Sequence, residues 1–360
     1  MDKFINKVIQ GDCISRLKEL PDKSVNLVCI DPPYNIGKDD WDNLGIVKKG
    51  YGGNTENSFG DFYFNWMSEV FVELERVLKD NGSFFFFHND FRMTAELDRK
   101  IQENTSFVLK NFVVWNKRFD GSPKKGFLDG YIVKSGLTSF NKMAEYIMFY
   151  TFNNSWKLKH YREKLGVKQT TISKEILSKV YFEYTYLKDK QDPESIKKGR
   201  INVSSEEDAT EFLSSNNIDY IELTRCGGKM TGWYSNIETG KNYVTKETIK
   251  PITKHLGLTY DDIVPKFRNQ KTDHSVWNYD LDSKKIGHLT PKPIKLLENI
   301  ILHTTDENDI VLDCFAGSSS TALACINLNR RFIMIEKEQK YCSLSEKRIK
   351  NHRKKLDSND

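Results

Sequence analysis

Hydrophobic positions follow two alternating patterns along this chain. Short continuous apolar runs, typical of buried strands, precede segments whose apolar residues recur at helical spacing. The predicted strands cover residues 7–12, 25–30, 83–88, 108–115, 145–150, 309–313 and 331–336. The predicted helices cover residues 13–20, 62–79, 94–103, 291–303, 320–328 and 338–355. This alternation predicts an α/β fold with a mainly parallel sheet and right-handed connections.

Two local sequence signals, Asn81-Gly82 and Pro291, predict helix boundaries. Asn81-Gly82 is typical of a helix end, so the helix over 62–79 is expected to stop there. Pro291 suits a first helical position.

Between residues 151 and 279 the strand–helix alternation is lost, and only short helical patterns occur, at 172–180 and 208–216. This polar segment is predicted to be an insertion, with residues 1–150 and 280–360 forming one catalytic domain.

Composition narrows the function classes only slightly. The 360 residues carry a formal net charge of +5, which is compatible with a polyanionic partner but does not establish one. The six cysteines form no C-x-x-C pair and no zinc spacing, so no metal site is predicted. No segment is long and apolar enough to span a bilayer, and the start lacks the apolar region of a signal peptide. A cytoplasmic protein without a membrane partner is expected.

The most informative stretch is Asp31-Pro32-Pro33-Tyr34, which directly follows the apolar run 25–30. Neither proline can donate a hydrogen bond to a sheet, and each fixes φ near −65°, so the strand ends abruptly in a stiff segment. An acid, carbonyl oxygens and an aromatic ring then lie at the carboxyl edge of the sheet, where open α/β folds bind ligands. These groups suit a flat heterocycle with an exocyclic amine, although a plain turn after a strand remains an alternative.

A second candidate site lies near the other end of the chain. The turn at residues 313–321 connects a strand to a helix, and its small residues allow a ligand close to the backbone. Glu336 ends the next strand, where an acid can accept hydrogen bonds from the hydroxyls of a ribose. A dinucleotide is one candidate ligand, but G-x-G-x-x-G is absent. S-adenosylmethionine, which has no pyrophosphate, needs fewer backbone amides.

Four motifs together resemble those of the DNA amino-methyltransferases. Asp31-Pro32-Pro33-Tyr34 resembles their catalytic motif, and the turn from Asp313 to Ser318 resembles their cofactor turn. Residues 287–293 resemble the family's H-x-T-x-K-P motif, and Gly11-Asp12 resembles the acid near the cofactor's adenine. With the catalytic motif first and the cofactor turn last, the order is similar to the β-type circular permutation of this family. The resemblance implies a Rossmann-like, S-adenosylmethionine-dependent methyltransferase fold with an inserted target-recognition domain at 151–279.

The resemblance also implies residue roles. The expected catalytic residues are Asp31, Pro32, Pro33 and Tyr34. The expected cofactor-binding residues are Asp12, Cys13, Asp31, His288, Thr290, Lys292, Asp313, Phe315, Ala316, Gly317, Ser318, Ser319 and Glu336. Independently of the resemblance, the basic loop at 116–142 and the basic end of the insertion are expected to contact DNA, through Lys124, Lys125, Lys254 and Arg268.

The implied activity is site-specific methylation of adenine N6 in double-stranded DNA, with the target base flipped out of the helix. Cytosine N4 methylation and a catalytically idle DNA-binding subunit are the alternatives. A cognate restriction endonuclease and a second copy of the chain are candidate partners. One departure concerns Ser319, where the family usually has glycine. Serine should cost stability there if the position needs a positive φ, and should be harmless if φ is negative.

Overall fold

A computed structural model of the chain describes residues 1–34, 57–123, 143–152, 180–203, 205–226, 274–281 and 291–358, with a few single positions between 163 and 166 and between 257 and 268. The chain divides into two compact units. The first combines Met1–Asn153 with Val264–Asp360, and the second is Asn154–Ile263.

The first unit is built on an eight-stranded sheet among the described residues. Its strands are β1 (Lys7–Gln10), β2 (Val25–Ile30), β3 (Leu78–His88), β4 (Phe107–Asn116), β5 (Ala144–Phe152), β9 (Val276–Asn278), β10 (Ile310–Asp313) and β11 (Arg331–Glu336). Their spatial order is β1-β11-β10-β2-β3-β5-β4-β9. The first five strands in this order are parallel, and β5 is antiparallel to both of its neighbours.

The two ends of the chain share this sheet. β10 lies between β11 and β2, with Val311 paired to Leu27 and Leu312 paired to Val28. The residues after β10 therefore emerge beside the residues after β2. This arrangement brings the cofactor turn near the C-terminus next to the motif that begins at Asp31.

Helices cover both faces of the sheet. They are α1 (Cys13–Leu17), α2 (Asn57–Val77), α3 (Phe91–Asn104), α5 (Ile294–Thr304), α6 (Ser320–Asn327) and α7 (Gln339–Asp357). Alternate phenylalanines of β3 point in opposite directions: Phe85 belongs to the core that includes residues of α5 and α6, whereas Phe84 contacts Phe71 of α2. Burial on both faces explains the continuous apolar run at residues 84–87 of β3.

Both helix boundaries that were predicted from Asn81-Gly82 and from Pro291 are wrong; in addition, α1 ends at Leu17 instead of residue 20, and α2 begins at Asn57 instead of residue 62. α2 ends at Val77, and Leu78–Gly82 joins β3, because the amides of Lys23 and Ser24 bond the last helix carbonyls, those of Arg76 and Val77. The helix predicted from Pro291 begins at Ile294. Pro293 is its N-cap residue, with ψ 131°, and a residue that precedes a proline, as Lys292 does, is disfavoured in helical conformation.

The second unit contains a three-stranded antiparallel sheet in the order β7-β6-β8. Its elements are β6 (Val180–Leu187), β7 (Ile196–Val203), α4 (Glu206–Ser215) and β8 (Tyr220–Cys226). Phe182, Ile201 and Ala209 form its core, and Ser205 caps α4 by accepting the amide of Asp208 at 3.1 Å. The unit is shorter than the predicted insertion, since β9 pairs with β4 in the large sheet. No helix within the described ranges is long and apolar enough to cross a membrane.

Candidate active site

A cavity of about 410 Å³ lies at the carboxyl ends of β2, β10 and β11. Its volume is within the range of small-molecule sites. Eleven of the predicted site residues line it: Asp12, Cys13, Asp31, Pro33, Lys292, Asp313, Phe315, Ala316, Gly317, Ser318 and Glu336. The predicted catalytic motif and the predicted cofactor turn therefore face one cavity, although nearly 300 residues separate them in sequence.

The turn after β10 is fixed by Asp313. Its carboxylate accepts hydrogen bonds from the Phe315 amide at 3.0 Å and from the Thr321 hydroxyl at 2.7 Å, so it links both ends of the turn. Burial raises the pKa of Asp313 to about 7, against the opposing effect of these hydrogen bonds. The turn also approaches β11, where the Gly317 amide donates to Glu336 at 2.8 Å. Gly317 has φ 50°, a left-handed conformation that glycine adopts at little cost.

Ser319 occupies the left-handed region as well, with φ 56° and ψ 43°. It is fully buried, and its hydroxyl oxygen has no hydrogen-bond partner among the described residues. Ser319 does not line the cavity. Ser319 therefore has the positive φ at which serine is expected to cost stability.

Acidic groups lie at the ends of β1 and β11. Each carboxylate oxygen of Glu336 accepts one hydrogen bond of 2.8 Å from a backbone amide: Oε2 from Gly317 and Oε1 from Glu338. Burial raises the pKa of Glu336. Asp12 caps α1 by accepting the amide of Ser15 at 3.0 Å. A carboxylate oxygen that already accepts one donor can accept another, so these acids are able to bind ligand hydroxyls.

Asp31 and Tyr34 contact each other directly. The Tyr34 hydroxyl donates to Asp31 Oδ1 at 2.6 Å, and the Tyr34 ring lies 4.6 Å from the ring of His88. Tyr34 is buried, and neither Tyr34 nor Pro32 lines the cavity. Burial lowers the pKa of His88 to about 4, so its imidazole is neutral at physiological pH.

Lys292 is the cation that contacts Asp31. Its ammonium lies 2.5 Å from Asp31 Oδ2, 3.1 Å from the Tyr34 hydroxyl and 3.3 Å from Glu145 Oε2. Lys292 is buried. Burial by itself would lower the pKa of Lys292, but the charges of Asp31 and Glu145 outweigh it and hold the pKa above its ordinary value. The Lys292 ammonium therefore stays protonated and bridges two carboxylates.

The remaining predicted residues lie elsewhere or are not described. Arg268 is exposed, its guanidinium is 3.4 Å from Asp306, and its amide donates to the His303 carbonyl. These partners lie where β10 begins, at the edge opposite to the cavity. His288, Thr290, Lys124, Lys125 and Lys254 fall outside the described residues.

Sequence reasoning missed several residues of the site. Phe62 and Trp66 of α2 line the cavity, and the Trp66 ring lies 5.8 Å from that of Phe315. They belong to an amphipathic pattern that is typical of an ordinary core-facing helix. Glu145 was also missed, although a buried acid at the start of the apolar strand β5 is a usable signal.

Comparison with known proteins identifies the family. Residues 25–347 match the family model N6_N4_Mtase, described as DNA methylase, and the chain belongs to this family. Type II methyltransferase M1.MboII of Moraxella bovis is 24% identical over 345 residues, which are 94% of each chain. DNA adenine methyltransferase YhdJ of Escherichia coli K12 is 25% identical over 347 residues, covering 95% of this chain and 82% of the relative.

One similar solved structure is that of PvuII DNA methyltransferase, described as cytosine-N4-specific. It shares 14% identity and a TM-score of 0.50, over 96% of this chain and 90% of that one. The likeness supports the fold alone. Together with the family match, it confirms the predicted Rossmann-like α/β methyltransferase fold. The predicted enzyme class is confirmed too: the protein is a DNA methyltransferase that depends on S-adenosylmethionine.

Proposed function

We propose that this enzyme transfers a methyl group from S-adenosylmethionine to the N6 amine of an adenine flipped out of double-stranded DNA. The observation that carries the proposal is the single cavity lined by both Asp31 and Gly317. A reaction between a donor on the cofactor turn and an acceptor beside Asp31 requires this proximity. The relative named DNA adenine methyltransferase supports adenine as the target.

The residues that line the cavity fit S-adenosylmethionine. Glu336 can accept hydrogen bonds from the ribose hydroxyls, and Asp12 lies at the adjacent end of the first helix. The Gly317 backbone allows close approach of the ligand, and Trp66, Phe62 and Phe315 offer apolar surface for the adenine. When bound, the cofactor supplies an electrophilic sulfonium methyl group.

Asp31 would bind and activate the target amine. The lone pair of an exocyclic amine is delocalised into the ring, which makes it a poor nucleophile. Hydrogen bonds from its two N–H groups to Asp31 and to the Pro32 carbonyl favour a pyramidal nitrogen with a localised pair. Asp31 then accepts the proton that the nitrogen loses as it forms its new bond, which is general-base catalysis.

Base flipping brings the amine to Asp31, at a cost of a few kcal/mol for unstacking. In the structure the Tyr34 hydroxyl donates to Asp31 Oδ1. We infer that the target amine binds at a further acceptor position of Asp31 while this contact persists, and that the Tyr34 ring stacks on the base, which in other systems is worth about 1–3 kcal/mol. Stacking would offset the cost of flipping.

The other parts of the predicted function are proposals as well. The unit within the insertion 151–279 would recognise the target sequence, and Lys124, Lys125 and Lys254 would contact phosphates. A cognate restriction endonuclease is proposed from the Type II relative. A homodimer and a cytoplasmic location remain predictions.

Methyl transfer to a defined base tests the proposal. Unmethylated bacterial DNA is incubated with the enzyme and methyl-labelled S-adenosylmethionine, hydrolysed, and separated into nucleosides. Label in N6-methyldeoxyadenosine is expected. Label in N4-methyldeoxycytidine would replace the adenine assignment, and no label at saturating cofactor would indicate an idle DNA-binding protein.

A further inference from the structure

Glu145 is an acid buried at the start of an otherwise apolar strand. The neighbouring residues Ile147 and Phe149 on its face of β5 belong to the main core. Glu145 itself is 8% exposed. A carboxylate is rarely buried so deeply unless cations and donors compensate it.

Three groups from distant parts of the chain compensate Glu145. Lys117, just after β4, forms a salt bridge with Oε1. Lys292 and the Tyr34 hydroxyl lie 3.3 and 3.4 Å from Oε2. Burial alone would raise the pKa of Glu145, but the two lysines outweigh it and hold the pKa below its ordinary value. Glu145 is therefore an anion that shares Lys292 and Tyr34 with Asp31.

Both partners that Glu145 shares also bond Asp31. The Tyr34 hydroxyl donates to one Asp31 oxygen at 2.6 Å, and the Lys292 ammonium to the other at 2.5 Å. Glu145 does not itself contact Asp31 in any hydrogen bond or ion pair described, and it does not line the cofactor cavity. Lys292 and Tyr34 are therefore the groups through which Glu145 contacts Asp31 indirectly.

We propose that Glu145 is a positioning residue for methyl transfer, which acts by holding the Lys292 ammonium and the Tyr34 hydroxyl against the two oxygens of Asp31. Fixing both donors sets the orientation in which Asp31 receives the target amine. This role rests on the proposed function, in which Asp31 binds that amine. A displacement of about 1 Å in such a group can lower a rate by about 100-fold.

The charge of Glu145 also bears on the protonation of Lys292. The groups that face Lys292 are the Asp31 and Glu145 carboxylates, the Tyr34 hydroxyl and the rings of Tyr34 and Phe87. The Cys29 thiol, the His88 imidazole and Lys117 lie around them. Burial lowers the pKa of Lys292, and the Asp31 and Glu145 carboxylates raise it. When the Glu145 anion is removed, only Asp31 still counteracts burial, so the pKa of Lys292 falls. Transfer that requires the ammonium should then decline at lower pH than in the wild type.

Single-turnover methylation by the full-length enzyme, saturated with S-adenosylmethionine, tests the proposal. Glu145→Gln is expected to slow transfer by about 10- to 100-fold and to move the alkaline decline of the rate to lower pH. The affinity for the cofactor should stay within about twofold, because Glu145 lies outside the cavity. Glu145→Asp, which keeps the charge, should recover the wild-type pH profile.

Glu73→Gln is the matched control. It removes a partly buried carboxylate paired with Arg76 at 2.8 Å in the same unit, remote from Asp31, and should leave the rate unchanged. Because only the Tyr34 contact remains once Lys292 is lost, Glu145→Gln should slow Lys292→Met by a smaller factor than it slows the wild type. A wild-type rate and pH profile for Glu145→Gln, or fully additive effects in the double variant, would overturn the proposal.

Two further results separate the possible failures. If Glu145→Gln does not fold, Lys117→Gln carries the test: loss of this cation frees Oε1 of Glu145, so single-turnover transfer should slow while the affinity for the cofactor stays within about twofold. An unchanged rate would contradict the inference. If Asp31→Ala retains normal turnover, the proposed function fails. If Asp31→Ala is inactive but Glu145→Gln behaves as wild type, only the role of Glu145 fails.

Discussion

Ser319 offers a direct test of the strain in the cofactor turn. It adopts φ 56° and ψ 43°, and its buried hydroxyl has no partner among the described residues. A left-handed residue with a Cβ atom costs about 1–2 kcal/mol. A buried hydroxyl without a hydrogen bond costs about 1–3 kcal/mol. Ser319→Gly removes both costs and should therefore stabilise the protein.

The expected gain is smaller than the sum of these two effects. Glycine gives the unfolded chain more freedom, which costs about 0.5–1 kcal/mol, and the lost hydroxyl leaves a small void. A net stabilisation of about 1–2 kcal/mol remains. For a unit of this size it corresponds to a rise of about 2–8 °C in the melting temperature. Differential scanning calorimetry measures the shift.

Two further variants locate the origin of the gain. Ser319→Ala removes the hydroxyl but keeps the left-handed Cβ, so it should be less stabilising than Ser319→Gly. Ser318→Gly is the matched control, because Ser318 is buried but has no positive φ, and it should be destabilising. If Ser319→Gly lowers the melting temperature as Ser318→Gly does, the strain at Ser319 is refuted.

Two other variants test the electrostatics of the site. His88 is neutral when folded, with its pKa lowered by burial to about 4 from 6.5, so the unfolded chain binds a proton first as the pH falls through this interval. The wild type should therefore lose up to about 3 kcal/mol of unfolding free energy relative to His88→Gln between pH 6.5 and 4, measured by urea titration; a constant difference would contradict this. Glu336→Gln replaces one carboxylate oxygen, which accepts a hydrogen bond from a backbone amide, with an NH2 group that can only donate. This change should weaken S-adenosylmethionine binding by about 10-fold or more in calorimetric titration. Unchanged affinity would remove Glu336 from the cofactor site.

Local signals were enough to predict the elements around the cavity. Pro32 and Pro33 end β2 because neither can continue a ladder, and β11 has the predicted bounds, Arg331–Glu336. Small residues after β10 correctly predicted the turn into α6. The convergence of the two ends of the chain was implied by the resemblance of the motif order to the circular permutation of the family, and the pairing of β10 with β2 agrees with it.

Contacts between distant segments were not predictable in this way. Lys292 was expected beside the cofactor; it does line the cavity, but its ammonium bonds Asp31, 261 positions earlier in sequence. In the sequence, Glu145 is only a single acidic residue before an apolar run. Its partners Lys292 and Tyr34 come from opposite ends of the chain. Asn81-Gly82 failed as a helix terminator because pairing with β2 drew Leu78 into the sheet. Tertiary pairing overrode the local preference there.

The measurement that tests the central claim most directly is methyl transfer by Asp31→Ala. The claim requires an amine acceptor at Asp31 next to a methyl donor on the turn at Gly317, both facing one cavity. Single-turnover transfer should be abolished in Asp31→Ala, while calorimetric titration still detects S-adenosylmethionine binding, since the turn at Gly317 and Glu336 is unchanged. Asp31→Asn should also abolish transfer and retain cofactor binding. Because asparagine keeps one side-chain oxygen, this variant should disturb the position of Lys292 less than Asp31→Ala does. Near-normal transfer by either variant would contradict the account.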